Sequence, residues 1–334
     1  MRFLLTLILL AAIGWSGYWF VGATGSKAAF EGWIEARRAE GWVADYAALD
    51  VQGFPNRFDA TFTDLSLADP DTGLAWTAPF FQVLALSYQP NSVIAVWPKE
   101  QVLATPQGKY QLSSDDMRAS LTLQPNTQLA LERSTLTAGN VVVAATNPPE
   151  TAKVGALTLA AERSEGSDAT YRLGLAADNV TPSAPWLKTV DPQGRLPETL
   201  QTLKADLTVT FDKPWDRAAI EVARPQPRKI DLKLAQARWG QLDLQLAGAV
   251  DVDDGGQPRG QITVKARNWR EMLDLAVASG ALPEGLRPTL EDAFGLMAGL
   301  SGNPNTLDIP LDFRSGRMFL GPVPIGPAPV LVIR

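Results

Sequence analysis

The feature that most constrains the fold of this chain is an alternation of apolar and polar residues with a period of two. It begins near Trp42 and continues through most of the chain. In its clearest stretch, 241–253, one face carries Leu242, Leu244, Leu246, Val250 and Val252. Successive side chains of a strand point to opposite faces, so this stretch predicts a half-buried β-strand. A turn at 254–256 leads into a second alternating stretch with Ile262, Val264 and Ala266, and the two together predict a long hairpin.

Shorter alternations recur so closely that they predict a strand-rich chain with few helices between the strands. They occur around 58–62, 119–123, 129–131, 157–159, 171–175, 207–211 and 230–234. Turn-forming residues separate them at 69–73, 106–108 and 138–140. The expected fold class is mainly β: a large curved antiparallel meander sheet or a sandwich, with an N-terminal transmembrane helix and a C-terminal helical hairpin.

The predicted helical hairpin occupies 268–302, where apolar residues repeat at helical spacing. Asn268 is a predicted N-cap, Glu271 has the reciprocal capping-box position, and Gly302 follows the second helix. A further amphipathic helix is predicted over 26–41, with Phe30, Trp33 and Ile34 on its apolar stripe. That stripe either packs on the sheet or lies on a bilayer.

The amino terminus carries an uncharged apolar stretch that begins after Arg2 and continues to Gly25. As a helix, residues 3–23 are about 31 Å long, close to the roughly 30 Å of a bilayer's hydrocarbon core. The far end holds aromatic residues of the type that favours lipid headgroups: Trp15, Tyr18, Trp19 and Phe20. Segment 1–25 is therefore predicted to be a signal anchor in the inner membrane, with the bulk of the chain in the periplasm. The alternative is a signal peptide cleaved after Gly25, which leaves a soluble periplasmic protein.

Prolines predict where the rest of the chain divides. Four of them fall within 181–200, which we interpret as a long loop or linker. The predicted organisation is a β-rich lobe over 42–180 and a second one over 201–334, which includes the helical hairpin.

The amino-acid composition excludes most classes of catalytic site. The chain has no Cys and no His, which excludes thiolate nucleophiles, imidazole-dependent triads and the usual zinc ligand sets. Its net charge of −6 disfavours a nucleic-acid partner. The acidic turn at 251–254 is better explained as a hairpin tip than as a calcium loop, because Ile262 stands where a bidentate Glu is needed. Asp115 and Asp116 form no recognisable catalytic pair. We therefore expect no catalytic residue, no cofactor and no metal site.

Two segments resemble a known family. The first, 51–69, contains the motif Gly53, Phe54, Pro55, Arg57, Phe58 and Asp59, and the second, 307–329, contains a hairpin and a proline-rich tail. Following an N-terminal anchor, they resemble an uncharacterised family of Gram-negative envelope proteins classed as a domain of unknown function. The motif is structural, with Gly53 and Pro55 shaping a turn and the Phe residues packing, so the resemblance implies no catalytic residue.

More distantly, the anchor and strands such as 240–250 are similar to AsmA-like proteins, which are anchored in the inner membrane and linked to phospholipid transport. This similarity implies a non-enzymatic, membrane-anchored periplasmic protein of envelope maintenance. Its apolar β-face, from Leu242 to Val252 with Ile262 and Val264, would form a groove that binds or transfers phospholipid. The same alternation also describes a face covered by helices or by a second sheet. The alternative function is a scaffold or assembly factor that binds other envelope proteins.

Overall fold

A computed structural model describes residues 1–300, 303–320 and 323–333. The predicted end of the helical hairpin at 301–302, the start of the proline-rich tail at 321–322 and residue 334 lie outside the described residues. The protein is mainly β, as the alternation predicts, and every strand pairing given below is antiparallel.

The chain folds into two compact units. Unit 1 comprises Met1–Pro125 and Leu136–Pro149, and unit 2 comprises Asn126–Thr135 and Glu150–Arg334. The division therefore falls between 125 and 150, upstream of the predicted linker at 181–200. That proline-rich segment lies inside unit 2, where it connects two strands that pair directly with each other. A proline-rich connection between neighbouring strands looks the same in sequence as a linker between lobes.

The elements of unit 1 are α1 (Arg2–Ala39), β1 (Val43–Asp45), β2 (Ala48–Gln52), β3 (Arg57–Asp69), β4 (Leu74–Leu86), β5 (Gln89–Val96), β6 (Glu100–Thr105), β7 (Gly108–Ser113), β8 (Asp116–Leu123) and, from residue 136, β9 (Leu131–Thr146). β3 is central, because β1 and β2 pair with successive parts of it on one side and β4 pairs on the other. On its other edge, β4 pairs with two different strands along its length. Its first part pairs with β6 and its second part with β5. β8 continues from β5, while β7 and β9 continue from β6.

α1 is one continuous helix that joins the two predicted segments 1–25 and 26–41. Gly25 does not end it, since a single glycine in a helix costs only about 1 kcal/mol relative to alanine. The helix ends before Gly41, whose φ of +93° suits glycine. Beyond residue 25, α1 packs on the sheet, where Ile34 is 1% exposed among Ala44, Leu49, Ala60, Phe62 and Leu65. The apolar stripe predicted over 26–41 therefore faces protein at Ile34.

β9 corrects two predictions. The turn expected at 138–140 is absent, because β9 continues through it, and the strand begins at Leu131, after Leu129. Asn140 adopts a left-handed φ of 45°, which Asn tolerates better than most residues. Its side chain donates a 2.6 Å hydrogen bond to Asp115. Gly139 and Asn140 therefore mark a local distortion of β9, and the chain does not reverse direction there.

The elements of unit 2 are β10 (Pro149–Arg163), β11 (Thr170–Thr181), α2 (Ala184–Val190), β12 (Leu200–Phe211), α3 (Arg217–Glu221), β13 (Pro227–Trp239), β14 (Leu242–Val252), β15 (Pro258–Arg267), α4 (Trp269–Ala278), a 3-10 turn (Glu284–Leu286), α5 (Arg287–Leu300), β16 (Thr306–Arg314), β17 (Arg317–Leu320) and β18 (Val323–Pro327). From β10 to β18 each strand pairs with the next along the chain. This is the predicted meander. The proline-rich β18 is its last strand, as expected for a segment poor in backbone donors.

The predicted helical hairpin is present as α4 and α5, but its capping box is not. Asn268 precedes α4 with a φ of 57°, and its side chain makes no capping hydrogen bond. It donates instead to the carbonyl of Gln241 at 2.7 Å. A capping residue needs an extended backbone to present its side chain to the first free amides of the helix, and the left-handed conformation prevents this.

Candidate functional site

The face of β14 and β15 that was predicted as a groove is largely covered by the protein itself. Leu244 and Val264 pack against a core built from α4, α5 and β16, with Trp269, Leu273, Phe294, Ala298, Leu307 and Ile309 buried in it. Ile262 packs with Val250, which is buried beside Phe313 and Ala328. Leu242 and Val252 are buried and Leu246 is half-buried. The alternative to a groove, a face covered by helices, therefore describes the structure here, because α4 and α5 fold back onto β14 and β15.

The motif at 53–59 forms the turn between β2 and β3 and the start of β3. The amide of Arg57 donates to the carbonyl of Gly53 at 2.8 Å and closes the turn. Gly53 has a φ of +104°, and a Cβ there would lie 2.7 Å from that of Arg57, so the turn requires glycine. Arg57 forms an ion pair with Asp59 at 3.0 Å. The turn leaves Phe54 54% exposed and Phe58 8% exposed.

Aromatic residues of α1 bind this turn through hydrogen bonds. The indole of Trp15 donates to the carbonyl of Pro55 at 2.9 Å, and that of Trp19 donates to the carbonyl of Arg57 at 2.7 Å. The hydroxyl of Tyr18 donates to the carbonyl of Ser87, in the turn between β4 and β5. These residues were predicted to face lipid headgroups. In the structure their polar atoms are bound to the domain.

The same residues pack ring against ring. The ring of Trp19 lies 5.4 Å from that of Phe54 and 6.1 Å from that of Phe58, and Trp19 is only 6% exposed. Gly22 allows this approach, since a Cβ at that position would lie 2.4 Å from the ring of Phe58. We call Trp15, Tyr18, Trp19, Phe54 and Phe58 the aromatic clasp. It gives the family-like motif a role, which is to hold α1 against the sheet.

Nearly three helical turns beyond Trp19, α1 and the sheet border an apolar cavity of about 420 Å³. We call it the α1 cavity. It is lined by Ala29, Phe30, Trp33, Ile34, Phe62, Leu65, Leu67, Trp76 and Phe81. None of these side chains is ionisable. The cavity is open to solvent rather than enclosed, and Trp33 in its lining is 46% exposed.

Strand register explains how the α1 cavity is assembled. Phe62 of β3 faces Phe81 of β4, and Leu67 faces Trp76, so two cross-strand pairs present apolar side chains to the helix. The indole N–H of Trp76 donates to the buried Gln101 at 2.7 Å and is satisfied outside the lining. Such a lining can hold hydrocarbon, and it offers no group for acid–base chemistry.

A second cavity of about 620 Å³ lies in unit 2 and is polar. Its lining comprises Gln241, Lys265, Arg267, Asn268, Asn303, Asn305, Thr306 and Asp308. The cross-strand neighbour of Lys265 in this lining is Asp308.

The acidic candidates have local structural partners. Asp253 accepts hydrogen bonds from the amides of Gly255 and Gln257 at 3.0 and 2.9 Å, as a hairpin tip requires. Asp116 pairs with Arg118 at 2.6 Å, and Asp115 accepts from Asn140. Within 1–300, 303–320 and 323–333, no group of three or more His, Cys, Asp or Glu could hold a metal ion.

Shifted pKa values in unit 2 trace to local contacts. Burial raises the pKa of Tyr171, whose hydroxyl also accepts a hydrogen bond from the amide of Trp215 at 3.2 Å. Arg172 makes two hydrogen bonds to Asp206, at 2.9 and 2.7 Å, which lower the pKa of that carboxyl. Both groups belong to β11 and β12 and lie outside the cavities described above.

Sequence reasoning missed the α1 cavity as a unit. Its helical half was visible as the stripe of Phe30, Trp33 and Ile34. Its strand half was visible only as isolated aromatic residues, because the register that places Phe62 opposite Phe81 is a tertiary property. The signal that could have found it is the coincidence of aromatic residues on the helix and on the strands that follow it.

Comparison with known proteins identifies the family. Residues 19–329 match a family described as "Uncharacterized protein conserved in bacteria (DUF2125)". Comparisons with the curated proteins and with the solved structures find no match. The similarity to AsmA-like proteins and the association of the 53–59 motif with the family stay predictions. Because the match spans both units and includes Trp19 of the clasp, the chain belongs to this uncharacterised bacterial family.

Proposed function

We propose that the protein is a non-enzymatic component of the bacterial cell envelope, anchored in the inner membrane by α1, that binds a phospholipid acyl chain in the α1 cavity. The observation that carries the proposal is the position of this cavity. It is lined entirely by apolar residues and is built on the same helix that is long and apolar enough to span a membrane or to act as a signal anchor.

The length of α1 supports this arrangement. Its 38 residues correspond to about 57 Å, whereas a hydrocarbon core needs about 30 Å. The charge of Arg2 at the amino end orients the remainder of the chain toward the periplasm. With the span taken as 3–23, Ala29 lies about 9 Å further along the helix. An acyl chain that leaves the bilayer beside α1 would meet the cavity within two helical turns.

The lining suits hydrocarbon energetically. Each methylene buried away from water contributes about 0.8 kcal/mol, so an acyl chain leaves the bilayer at little cost only if it enters an equally apolar space. The volume of about 420 Å³ is within the range of about 300–1,000 Å³ typical of small-molecule sites. The chain's lack of Cys and His and the absence of ionisable side chains from this lining support a binding role over a catalytic one.

The test uses full-length protein in phosphatidylcholine/phosphatidylglycerol vesicles that contain a phospholipid with a diazirine on its acyl chain. After irradiation, peptide mass spectrometry maps the lipid adducts. We expect adducts in 29–34 and 62–81 in addition to the span. Ala29→Trp fills the cavity and should reduce these adducts several-fold, while adducts in 3–14 stay unchanged.

Ala28→Trp is the matched control, because Ala28 is an exposed neighbour on the same helix and is outside the lining. Equal adduct yields at 29–34 and 62–81 in the Ala29→Trp and Ala28→Trp variants would contradict binding in the cavity. If adducts are confined to the span in the unmodified protein, lipid binding fails and the scaffold function becomes the better hypothesis.

A further inference from the structure

We infer that unit 1 itself enters the membrane: the turn at 53–57 and the turn at 86–90 lie in the periplasmic leaflet of the bilayer beside α1. The surface they form is a second membrane contact, and its partner is the phospholipid bilayer. The inference rests on the membrane anchoring in the proposed function and is independent of lipid binding in the α1 cavity.

The first argument for this membrane contact is the short length of α1 that precedes the clasp. The part of α1 that precedes the clasp is only 2–14, which amounts to about 20 Å. This is shorter than the roughly 30 Å of hydrocarbon that a span must cross. If Phe3 is at the cytoplasmic boundary, Trp15 is about 18 Å from it, so about 12 Å of hydrocarbon remain beside the clasp. The turns that bind Trp15, Tyr18 and Trp19 are therefore at bilayer depth.

The two turns lie together at one end of the sheet. Arg57 is the cross-strand neighbour of Leu86, and the amide of Ser87 donates to the carbonyl of Asn56 at 2.8 Å. The turn between β3 and β4, which contains Asp71, lies at the opposite end of these strands. Because α1 runs alongside β3 from the clasp toward Ile34, only the end with the two turns meets the membrane.

Backbone carbonyls of these turns have hydrogen-bond partners within the protein, as an environment with little water requires. Polar backbone groups that enter a bilayer must be satisfied within the protein. Here the carbonyls of Pro55, Arg57 and Ser87 accept hydrogen bonds from three of the five aromatic side chains of the clasp. In the same setting, Arg57 has a charge partner in Asp59.

The exposed side chains of the turns include three of the kind that a membrane interface favours. Phe54 is 54% exposed, Tyr88 is 64% exposed and Leu86 is 38% exposed. Exposed aromatic residues of this kind are enriched at the headgroup level. No acidic residue occurs in 53–57 or 86–90, whereas the opposite turn at 69–73 contains two Asp. This asymmetry matches the negative potential of a bilayer with anionic lipids.

The chain's lack of cysteine makes the test direct, because a cysteine introduced anywhere is the single labelling site. Phe54→Cys, Tyr88→Cys and Gln89→Cys each carry an environment-sensitive fluorophore in the full-length protein. The protein is reconstituted in phosphatidylcholine/phosphatidylglycerol vesicles with and without phosphatidylcholine that bears a nitroxide on its acyl chain. Asp71→Cys, in the opposite turn, is the matched exposed control, and Ala11→Cys in the span is the positive control.

We expect nitroxide quenching at positions 54, 88 and 89 to be several-fold stronger than at 71 and to approach that at 11. Since Phe54 packs on Trp19, the positions 88 and 89 keep the test valid if the Phe54 variant is misfolded. Quenching at 88 and 89 as weak as at 71, with strong quenching at 11, would overturn the inference and leave the anchor intact. Weak quenching at 11 as well would show that α1 is outside the bilayer, and the membrane anchoring in the proposed function would fail with it.

Discussion

Units 1 and 2 each place helices against an apolar sheet face, but they close that face differently. In unit 2, α4 and α5 fill the face of β14–β16 with Trp269 and Phe294, whose rings pack edge to face at 5.8 Å. In unit 1, the single helix α1 packs against β1, β2 and β3 and leaves a cavity beside Trp33. The same period-two pattern thus gives a sealed core in one unit and an open cavity in the other. The difference depends on how many side chains the covering helices supply.

The largest expected effect tests this contrast through one tryptophan from each unit. Trp269→Ala should destabilise the protein by about 3–5 kcal/mol, because Trp269 is 2% exposed and its loss leaves a cavity. Trp33→Ala should cost much less, about 0.5–1 kcal/mol, because nearly half of that side chain is already in solvent. Thermal unfolding of the full-length variants in one detergent measures both. A cost at Trp33 equal to that at Trp269 would mean that the cavity is closed in solution.

An intermediate effect is expected at the aromatic clasp, where Trp19 is 6% exposed and Phe58 is 8% exposed. Gly22→Leu would place its Cβ against the ring of Phe58 and should destabilise unit 1 by about 1–3 kcal/mol. Limited proteolysis of the turn at 53–57, together with thermal unfolding, reports the loss. Gly17→Leu is the control, since nothing lies within 4 Å of a Cβ at that position. Similar stability of both variants would show that the clasp does not hold α1.

The smallest effect concerns an exposed pair on the meander of unit 2. The hydrogen bonds from Arg172 lower the pKa of Asp206, so the ionised carboxylate stabilises the folded state at neutral pH. This contribution is present above the carboxyl's ordinary pKa and is lost as pH falls through the lowered one. Asp206→Asn should therefore flatten the dependence of stability on pH slightly in the acidic range. Urea unfolding at pH 7 and pH 3 checks this, and an unchanged dependence would mean that solvent screens the pair fully.

Local patterns predicted much of the fold. Alternation placed β3, β8 and β10–β15, and the predicted meander matches unit 2 strand by strand. The predictions were less accurate at Asn, a residue type that occurs in several backbone conformations. Asn140 distorts β9 where a turn was expected, and Asn268 binds the carbonyl of Gln241 where a cap was expected. Both adopt left-handed backbone angles that the sequence permits and does not require.

The candidate site was predicted only in parts. The aromatic residues at 15–20 and the motif at 53–59 were both identified, yet nothing in the sequence indicated that they bind each other. The stripe at Phe30, Trp33 and Ile34 was identified as well, without its strand partners. The groove was expected at Leu244 and Val264, which α4 and α5 cover.

The sequence by itself determined the period of each element, the length of the uncharged apolar stretch at the amino terminus and the kinds of catalysis that a chain without Cys or His lacks. These are local properties, which follow from side-chain spacing and composition. Only the tertiary structure decided which apolar face is sealed and which is open, and that the turn at 53–57 clasps α1. Those outcomes depend on contacts between residues far apart in the chain, such as Trp19 with Phe58. The alternation pattern specifies that a face is apolar, but it does not specify what packs on that face.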